Sequence, residues 1–445
     1  MRFISTTALA TLTIGFAAGA EPDVHVGAAA VAIEADDSMV IAGGIHGGKA
    51  KGQEGELRAV AVVLEKPNGA RGALIACDVL FVSRDLIDPV VDQIERMHKI
   101  PAAHVLINAT HTHHAPSITA VHGYGRDEVF ARRVQRAILE SVSQAVANLS
   151  NEKLALYFRL GEESSVGQNS RLFLKDDTIF WIGPRDDAVR PTGPFDPELP
   201  VLAFRDAQKK TKALIFNHST HTIGTRKGGV RSPSFYGLAC QELESELGGI
   251  ACFLEGASGS THNLTVPSAE AVIRIKAAVH DALTRAEPRP VTRIAGLKRK
   301  FTFRVRTFDE AKEEAAVSAY CKKRAAAGAD GIIEVFRKQR LILAPQQGQE
   351  RTTWVQALMI GDIAFVGVPA EYFTVLGQDI KRRSPFRNTY VAELANDWIG
   401  YLPDRRGHEL GGYQTWTGLH SFAAPGTGEA IADAAVQMLK ELQQK

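Results

Sequence analysis

Apolar residues along this chain recur in two alternating patterns. Nearly continuous apolar runs predict strands at residues 58–65, 72–77 and 105–107, since a strand that is buried on both faces lacks polar alternation. Between the last two runs, residues 83–99 repeat apolar positions every three to four residues, which predicts a helix capped by Ser83 or Asp85. Strand, helix and strand in this order predict a βαβ unit.

The same alternation continues to the end of the chain and predicts an α/β fold of mixed β-sheets flanked by helices. Further strands are predicted at residues 24–32, 154–159, 178–182, 201–205, 212–217, 251–255, 294–306, 363–368 and 389–394. Further helices are predicted at residues 127–149, 238–247, 270–287, 309–324, 372–381 and 428–442. The helix at 309–324 is highly charged and is expected to be peripheral. Without a repeat or a clear linker, residues 21–445 are expected to form one domain.

The first twenty residues have the pattern of a cleaved secretory signal. They carry one positive charge, a short apolar segment and the small-residue ending Ala18-Gly-Ala20. A membrane anchor is the alternative, but threonines interrupt the apolar segment and it is shorter than the ~20 residues that span a bilayer. We expect cleavage near Ala20 and a secreted or periplasmic protein.

Composition excludes several classes of function. The 445 residues are 45% hydrophobic with a formal charge of +2, so a large core is expected and a nucleic-acid partner is not. Four cysteines are too few and too scattered for a disulfide framework. Cys77 is expected in the core, and a disulfide between Cys240 and Cys252 is the alternative that an oxidising compartment would allow.

Candidate chemistry begins at the segment Asn108-Ala-Thr-His-Thr-His-His-Ala-Pro116, directly after a predicted strand. If the chain stays extended, His111 and His113 point to one side and His114 to the other. Neutral imidazole is a common zinc ligand, and a strand end leaves a coordination position open for water or substrate. A hydrogen-bonded pair of histidines is the simpler alternative.

Other metal-binding side chains also follow predicted strands. His218 and His221 come after the run at 213–216, Glu371 follows the run at 363–368, and Tyr401 follows the strand at 389–394. Glu371 alone would also suit the first turn of the following helix. Together, imidazole, carboxylate and phenol groups from separate strand ends could form a hydrolytic zinc site that admits a water molecule.

Four motifs of this chain resemble, in the same order, motifs in the N-terminal catalytic domain of the neutral/alkaline non-lysosomal ceramidases. They are Asn-Ala-Thr-His-Thr-His, Phe-x-His, Gly-Val-Pro-Ala-Glu and Asn-x-Trp-x-Gly-Tyr. The resemblance runs from about Val26 to the C-terminus. It implies the ceramidase catalytic fold and one Zn²⁺ per chain. The ligands that it implies are His111, His218, Glu371 and Tyr401, with His113 beside the metal to act on the tetrahedral intermediate or the leaving group.

The resemblance also implies residues that handle the substrate. Arg171 matches an arginine that grips the polar head of the substrate. The functional loop Gly-Asp-x-Ser-Pro of the family corresponds to Gly256-Ala-Ser-Gly-Ser-Thr-His-Asn-Leu264, which places Ser260 at the aspartate and His262 at the serine. This departure, and an end soon after Tyr413 without the family's immunoglobulin-like domain, weaken the expectation of ceramide itself as the substrate.

The resulting hypothesis is a secreted zinc-dependent amidohydrolase that cleaves an N-acylsphingosine-type or related lipid amide. One alternative is a metal-dependent hydrolase of a small polar amide, ester or glycoconjugate. Another is a secreted binding protein without catalysis, in which the histidines serve packing or a structural metal. The expected partner is a small-molecule or lipid amide, and any membrane contact is expected to be peripheral.

Overall fold

Three β-sheets pack face to face in this protein, and helices cover the outer face of each. The computed structural model describes residues 23–444, so the predicted signal lies outside the described residues. The strands are β1 His25–Ala32, β2 Arg58–Glu65, β3 Arg71–Cys77, β4 Val105–Ala109, β5 Ala155–Glu162, β6 Gln168–Asn169, β7 Leu172–Leu174, β8 Ala188–Pro191, β9 Glu198–Arg205, β10 Thr211–His218, β11 Ile250–Glu255, β12 Thr261–His262, β13 Glu287–Arg289, β14 Ile294–Arg304, β15 Glu350–Ile360, β16 Ile363–Gly367, β17 Glu371–Tyr372, β18 Asn388–Ala392 and β19 Tyr401–Leu402. The helices are α1 Arg84–His98, α2 Glu128–Ala147, α3 Ser234–Leu247, α4 Ser268–Thr284, α5 Glu310–Arg324, α6 Ala329–Leu343, α7 Thr374–Arg383, α8 Arg405–Leu410 and α9 Thr427–Gln444.

Each large sheet is mixed, which confirms the predicted fold class. The first sheet has the order β1-β2-β3-β4, the second β11-β10-β9-β5-β13 and the third β14-β15-β16-β18. In each of them one pair at an edge is parallel, namely β3 with β4, β10 with β11 and β16 with β18, and the other pairs are antiparallel. The predicted βαβ unit is therefore present as β3, α1 and β4.

Strand β2 shows why the apolar runs are continuous. Ala59, Ala61 and Val63 pack outwards with α1 and α2, while alternate residues of the same strand pack inwards against the other two sheets. The second sheet is covered in the same way by α3 and α4, and the third by α5, α6, α7 and α9. Because both faces of a strand such as β2 are buried, apolar residues are needed at consecutive positions.

Two buried asparagines join the sheets directly below the ends of their strands. The Asn108 side chain, on β4, donates to the carbonyl of Glu393 after β18 and accepts from the amide of Glu255 on β11. Asn217, on β10, donates to the carbonyls of Leu254 and Val391. Buried amides of this kind stabilise only the one alignment that satisfies them. They therefore hold the three strand ends together at one place.

Most predicted elements are present, and the differences are informative. The predicted strand at 178–182 is wrong, because only Ile179 forms a β-bridge and the segment instead lines a cavity. Strand β15 and helix α6 were not predicted. Helix α5 packs against α6 and buries Val317, Tyr320 and Cys321, so its highly charged sequence hides a buried face. All four cysteines are buried and free, which contradicts the alternative of a Cys240–Cys252 disulfide.

None of the helices between residues 23 and 444 is long and apolar enough to cross a membrane.

Candidate active site

His111 and His113 occupy the loop that follows β4, which contains a left-handed residue and packs closely against Gly43. His111 has a φ of 62°, the left-handed region that costs a residue with a Cβ roughly 1–2 kcal/mol. This turn lets both imidazoles reach one place although the chain is not extended there. Gly43 lies directly against His113, and a Cβ at Gly43 would lie 2.6 Å from the Cβ of His113. The glycine is needed for this close approach.

His221 reaches the same place from the second sheet, three residues beyond β10. Its Nε2 atom lies 3.0 Å from the hydroxyl of Tyr401 and 3.4 Å from Oε2 of Glu371. Glu371 Oε2 is also 3.6 Å from Nε2 of His111. Thus one imidazole from each of two sheets faces the carboxylate that follows the third.

Glu371 and Tyr401 are neighbours because the short strands β17 and β19 pair in parallel, with Glu371 opposite Tyr401. The indole N–H of Trp398 donates to Oε1 of Glu371, which leaves Oε2 directed at the histidines. Burial alone would raise the pKa of Glu371, but its interactions with His221, His111 and Tyr401 lower that pKa to about 2. The carboxylate is therefore ionised at neutral pH.

The tautomers of the three histidines follow from their hydrogen bonds. The Nδ1 atoms of His111, His113 and His221 lie 2.8, 3.1 and 2.9 Å from the carbonyl oxygens of Leu80, Gly43 and Ser258. A carbonyl only accepts, so each Nδ1 carries the proton and each Nε2 presents a lone pair. This is the arrangement that orients histidines as metal ligands.

These lone pairs point at one another. The Nε2 atoms of His111 and His113 are 3.2 Å apart, and the ligand atoms of His111, His113 and His221 lie within 4.8 Å of one another. Burial, followed by the charge of His221, lowers the pKa of His111 to about 4, so its imidazole is neutral at pH 7. Two facing acceptors repel each other unless a cation lies between them, and a cavity of about 20 Å³ borders His111, His113, Glu371 and Tyr401. The donor set of imidazole nitrogens, a carboxylate and a phenol fits a borderline divalent metal such as zinc.

A larger cavity of about 700 Å³ opens beside this group, and we call it the substrate pocket. His113, His221 and Tyr401 form its inner wall, while His111 and Glu371 lie behind them. Trp181 stacks on Tyr413 with ring centroids 4.4 Å apart and makes an aromatic side wall. Pockets of this size accommodate molecules of the size of a drug or a short acylated compound.

Solved structures with the same arrangement of elements are ceramidases. Neutral ceramidase from Pseudomonas aeruginosa aligns with a TM-score of 0.74 over 95% of this chain and 75% of its own, at 17% sequence identity. A ceramidase complexed with C2 aligns with the same score and identity over 95% of this chain and 76% of its own. The chain has the neutral-ceramidase fold. No protein-family model and no curated protein matches the sequence, and identity at this level carries the fold alone.

Within the neutral-ceramidase fold, three of the four predicted metal ligands lie together and the fourth does not. His111, Glu371 and Tyr401 lie together, with His113 beside them, whereas His218 does not join the group. Both nitrogens of His218 are occupied, because Nδ1 accepts from the hydroxyl of Tyr236 and Nε2 donates to the carbonyl of Glu163 over 2.9 Å. An imidazole bonded in this way has no lone pair left for a metal. The geometry replaces His218 by His221.

The predicted role of Arg171 also disagrees with its position. The side chain is fully buried and donates to Gln414 Oε1 and to the carbonyls of Gly407 and Gly411, at 2.8, 3.1 and 2.7 Å. Burial lowers its pKa to about 10. Arg171 therefore holds the loop that carries Tyr413 into the pocket wall, and Ser170 rather than Arg171 faces the cavity.

His262 lies in the substrate pocket, and its ring stacks on that of His221 with centroids 5.6 Å apart. Burial, followed by the charge of His221, lowers the pKa of His262 to about 3, so the ring is neutral. Ser260 is turned away and donates to the hydroxyl of Thr374. The geometry thus places His262, but not Ser260, where it can meet a substrate.

The sequence assigned no role to His221 and did not identify the residues that orient it. The Glu393 carboxylate accepts from the hydroxyl of Ser258 over 2.6 Å and from its amide over 2.9 Å, and the carbonyl of Ser258 orients His221. The signal for His221 was its position, since it lies three residues beyond its strand, and His111 and His113 lie two and four residues beyond theirs. Burial, followed by the charge of Glu371, raises the pKa of Glu393 well above the usual value.

Proposed function

We propose that this protein is a zinc-dependent amidohydrolase that cleaves the amide bond of an N-acylated substrate. The observation that carries the proposal is the convergence of three Nε2 lone pairs and one ionised carboxylate beside an open pocket. His111, His221, Glu371 and Tyr401 would hold the metal. When bound there, zinc supplies Lewis acidity, which polarises a carbonyl group and acidifies water.

The chain's own residues account for the remaining steps of the reaction. His113 contacts His111 but also borders the pocket, so it is positioned to pass a proton to the leaving amine. Its Nδ1 is fixed by Gly43, and only Nε2 is available for that transfer. The aromatic wall of Trp181 and Tyr413 excludes water from the reacting bond and packs against the acyl part of the substrate.

The experiment compares metal content and hydrolysis in the same samples of wild type, His221→Ala and His113→Gln. We expect one zinc per wild-type chain, loss of both zinc and turnover in His221→Ala, and loss of turnover with retained zinc in His113→Gln. A wild-type protein that binds no divalent metal, or that hydrolyses amides equally well after chelation, would refute the proposal. Equal loss of zinc in His113→Gln would make His113 a ligand instead of the proton donor.

The substrate panel decides between a lipid amide and a smaller polar one. Likeness to ceramidases supports a short-chain fluorescent N-acylsphingosine as the first substrate, and His262 in the altered 256–264 loop supports soluble acyl amides or esters as the second. Turnover of the sphingosine amide at ordinary enzymatic rates would reject the second. Turnover of soluble amides alone would reject the first.

We also propose that the protein is exported, on the basis of the sequence of residues 1–20. The N-terminus of the mature protein, read by mass spectrometry from cell fractions, tests this. A chain that retains Met1 inside the cell would contradict it.

A further inference from the structure

Arg185 stands on the wall of the substrate pocket, on the loop between β7 and β8. The other described residues that line this cavity are apolar, aromatic, glycine, histidine or uncharged polar residues, so Arg185 provides the permanent charge of the wall. It also lies close enough to His262 for its charge to contribute to the lowered pKa of that ring. The guanidinium therefore acts on the same space as the candidate metal group.

The charge of Arg185 is not neutralised by the protein. No carboxylate between residues 23 and 444 forms an ion pair with it, and Asp187, two residues along the chain, is paired with Arg324 at 2.6 Å. The guanidinium lies 5.9 Å from the ring centroid of Phe180, which supports its face. Its N–H groups remain available for a ligand, since no side-chain hydrogen bond of Arg185 is formed within the described residues.

The lining of the pocket combines apolar side chains with the guanidinium of Arg185. Trp181, Ile182, Ile223 and Leu264 provide apolar walls, and the candidate metal group lies at the inner end. A planar guanidinium matches the two oxygens of a carboxylate, and such charged hydrogen bonds are about twice as strong as neutral ones. The walls thus suit a ligand with an apolar acyl group, a central amide and an anionic end.

We propose that Arg185 selects substrates with a carboxylate on the amine side of the amide, so that the preferred substrates are N-acyl amino acids rather than neutral sphingosine amides. This inference rests on the proposed function. In the reaction, water adds its oxygen to the acyl carbon, the C–N bond breaks, and the proton passes to the nitrogen. The products are a fatty acid and a free amino acid, and no further reactant is required.

A matched control lies on the same hairpin. Arg190 places its guanidinium 5.3 Å from the ring centroid of Phe173, as Arg185 does over Phe180, but Arg190 is exposed and does not line the pocket. Replacing either arginine by glutamine removes one charge from the same hairpin. Only the change at position 185 should affect the substrate.

The test compares the wild type with Arg185→Gln and Arg190→Gln on paired substrates. The anionic series consists of the N-octanoyl derivatives of glycine, β-alanine and γ-aminobutyrate, which increases the distance from amide to carboxylate in steps. The neutral series consists of the N-octanoyl derivatives of the corresponding amino alcohols. In Arg185→Gln we expect kcat/KM for the best anionic substrate to fall about 10- to 150-fold, as for loss of a charged hydrogen bond. The neutral partner should change less than about twofold, and Arg190→Gln should resemble wild type on both.

The outcomes separate this inference from the proposed function. An equal fall on anionic and neutral substrates would show that Arg185 only shapes the pocket, and equal kcat/KM values in wild type and Arg185→Gln would also overturn the inference. If wild type hydrolyses no amide, the proposed function fails, and calorimetric binding of N-octanoylglycine to wild type and Arg185→Gln then tests Arg185 alone. Partial recovery of the preference for anionic substrates in Arg185→Lys would confirm that the positive charge at position 185 recognises the carboxylate.

Discussion

His218 ends strand β10 and His221 lies three residues beyond it, and both are buried near a glutamate, yet their surroundings differ. His218 Nε2 is 4.0 Å from a carboxylate oxygen of Glu163, and His221 Nε2 is 3.4 Å from one of Glu371. Tyr236 and the carbonyl of Glu163 occupy both nitrogens of His218, while His221 keeps one nitrogen facing the metal group. The direction of a free lone pair, rather than burial beside a carboxylate, distinguishes a ligand from a structural histidine.

The largest expected effect comes from replacing each of these two histidines by alanine and comparing the two variants. His221→Ala should lower both metal affinity and kcat/KM by more than the roughly 100-fold typical of losing an outer hydrogen-bond partner of a ligand. His218→Ala should leave the metal content per folded chain unchanged. Elemental analysis and kinetics on both variants check this. Loss of metal in His218→Ala alone would restore His218 as the ligand and refute the geometric assignment.

Each of these two histidines also faces one tyrosine hydroxyl, which gives a second matched pair. Tyr401→Phe should weaken metal binding about 10- to 100-fold, because its hydroxyl belongs to the group formed by His221 and Glu371. Tyr236→Phe should leave metal affinity unchanged and cost about 1 kcal/mol of unfolding free energy. Competition with a zinc chelator measures the first and urea denaturation the second. Equal affinities in both variants would exclude Tyr401 from the metal group.

His218→Ala should instead reduce stability. The substitution leaves the hydroxyl of Tyr236 and the carbonyl of Glu163 without their partner and opens a small cavity, so we expect a loss of about 2–4 kcal/mol. Denaturation of metal-free protein measures it. A loss below about 0.5 kcal/mol would mean that these hydrogen bonds do not hold the loop.

The smallest expected effect is a difference in pH dependence. Burial lowers the pKa of His218, so the folded protein keeps it neutral while the unfolded chain takes up a proton below about pH 6.5. Its contribution to stability is therefore complete above pH 6.5 and is lost as the pH falls towards the folded pKa. Urea denaturation of metal-free protein at pH 7, 6 and 5 should show a shallower loss in His218→Gln, by up to about 1.4 kcal/mol per pH unit. Parallel curves would indicate that His218 is protonated in the folded state.

The sequence predicted the fold class and much of the site because both depend on local patterns. Continuous apolar runs located β2, β3 and β10, and polar residues after such runs located His111, His113 and Glu371. The choice between His218 and His221 could not be made in this way, because Tyr236 and Glu163, which occupy His218, lie 18 and 55 residues away.

The wrong strand prediction at residues 178–182 and the unexpected position of Arg171 have a similar cause. The apolar residues Ile179 to Ile182 favour a strand by composition, but their partners are Tyr320 and Tyr413 from distant parts of the chain. Arg171 lies in the asparagine-containing motif, yet its three acceptors lie far along the chain, in the segment 407–414. Sequence patterns report periodicity and strand ends, whereas partners so distant along the chain are fixed only by folding.

The amide of Asn108 has a consequence for how such a molecule can change over evolutionary time. One side chain satisfies groups of two other sheets at the level where the histidines and Glu371 emerge. Substitutions in the outer helices alter contacts on the outer face of each sheet and leave the hydrogen bonds of Asn108 in place. A chain whose sheets are held together in this way can replace most of its residues and keep its fold, and the alignment with neutral ceramidase at 17% identity shows the same fold in a very different sequence.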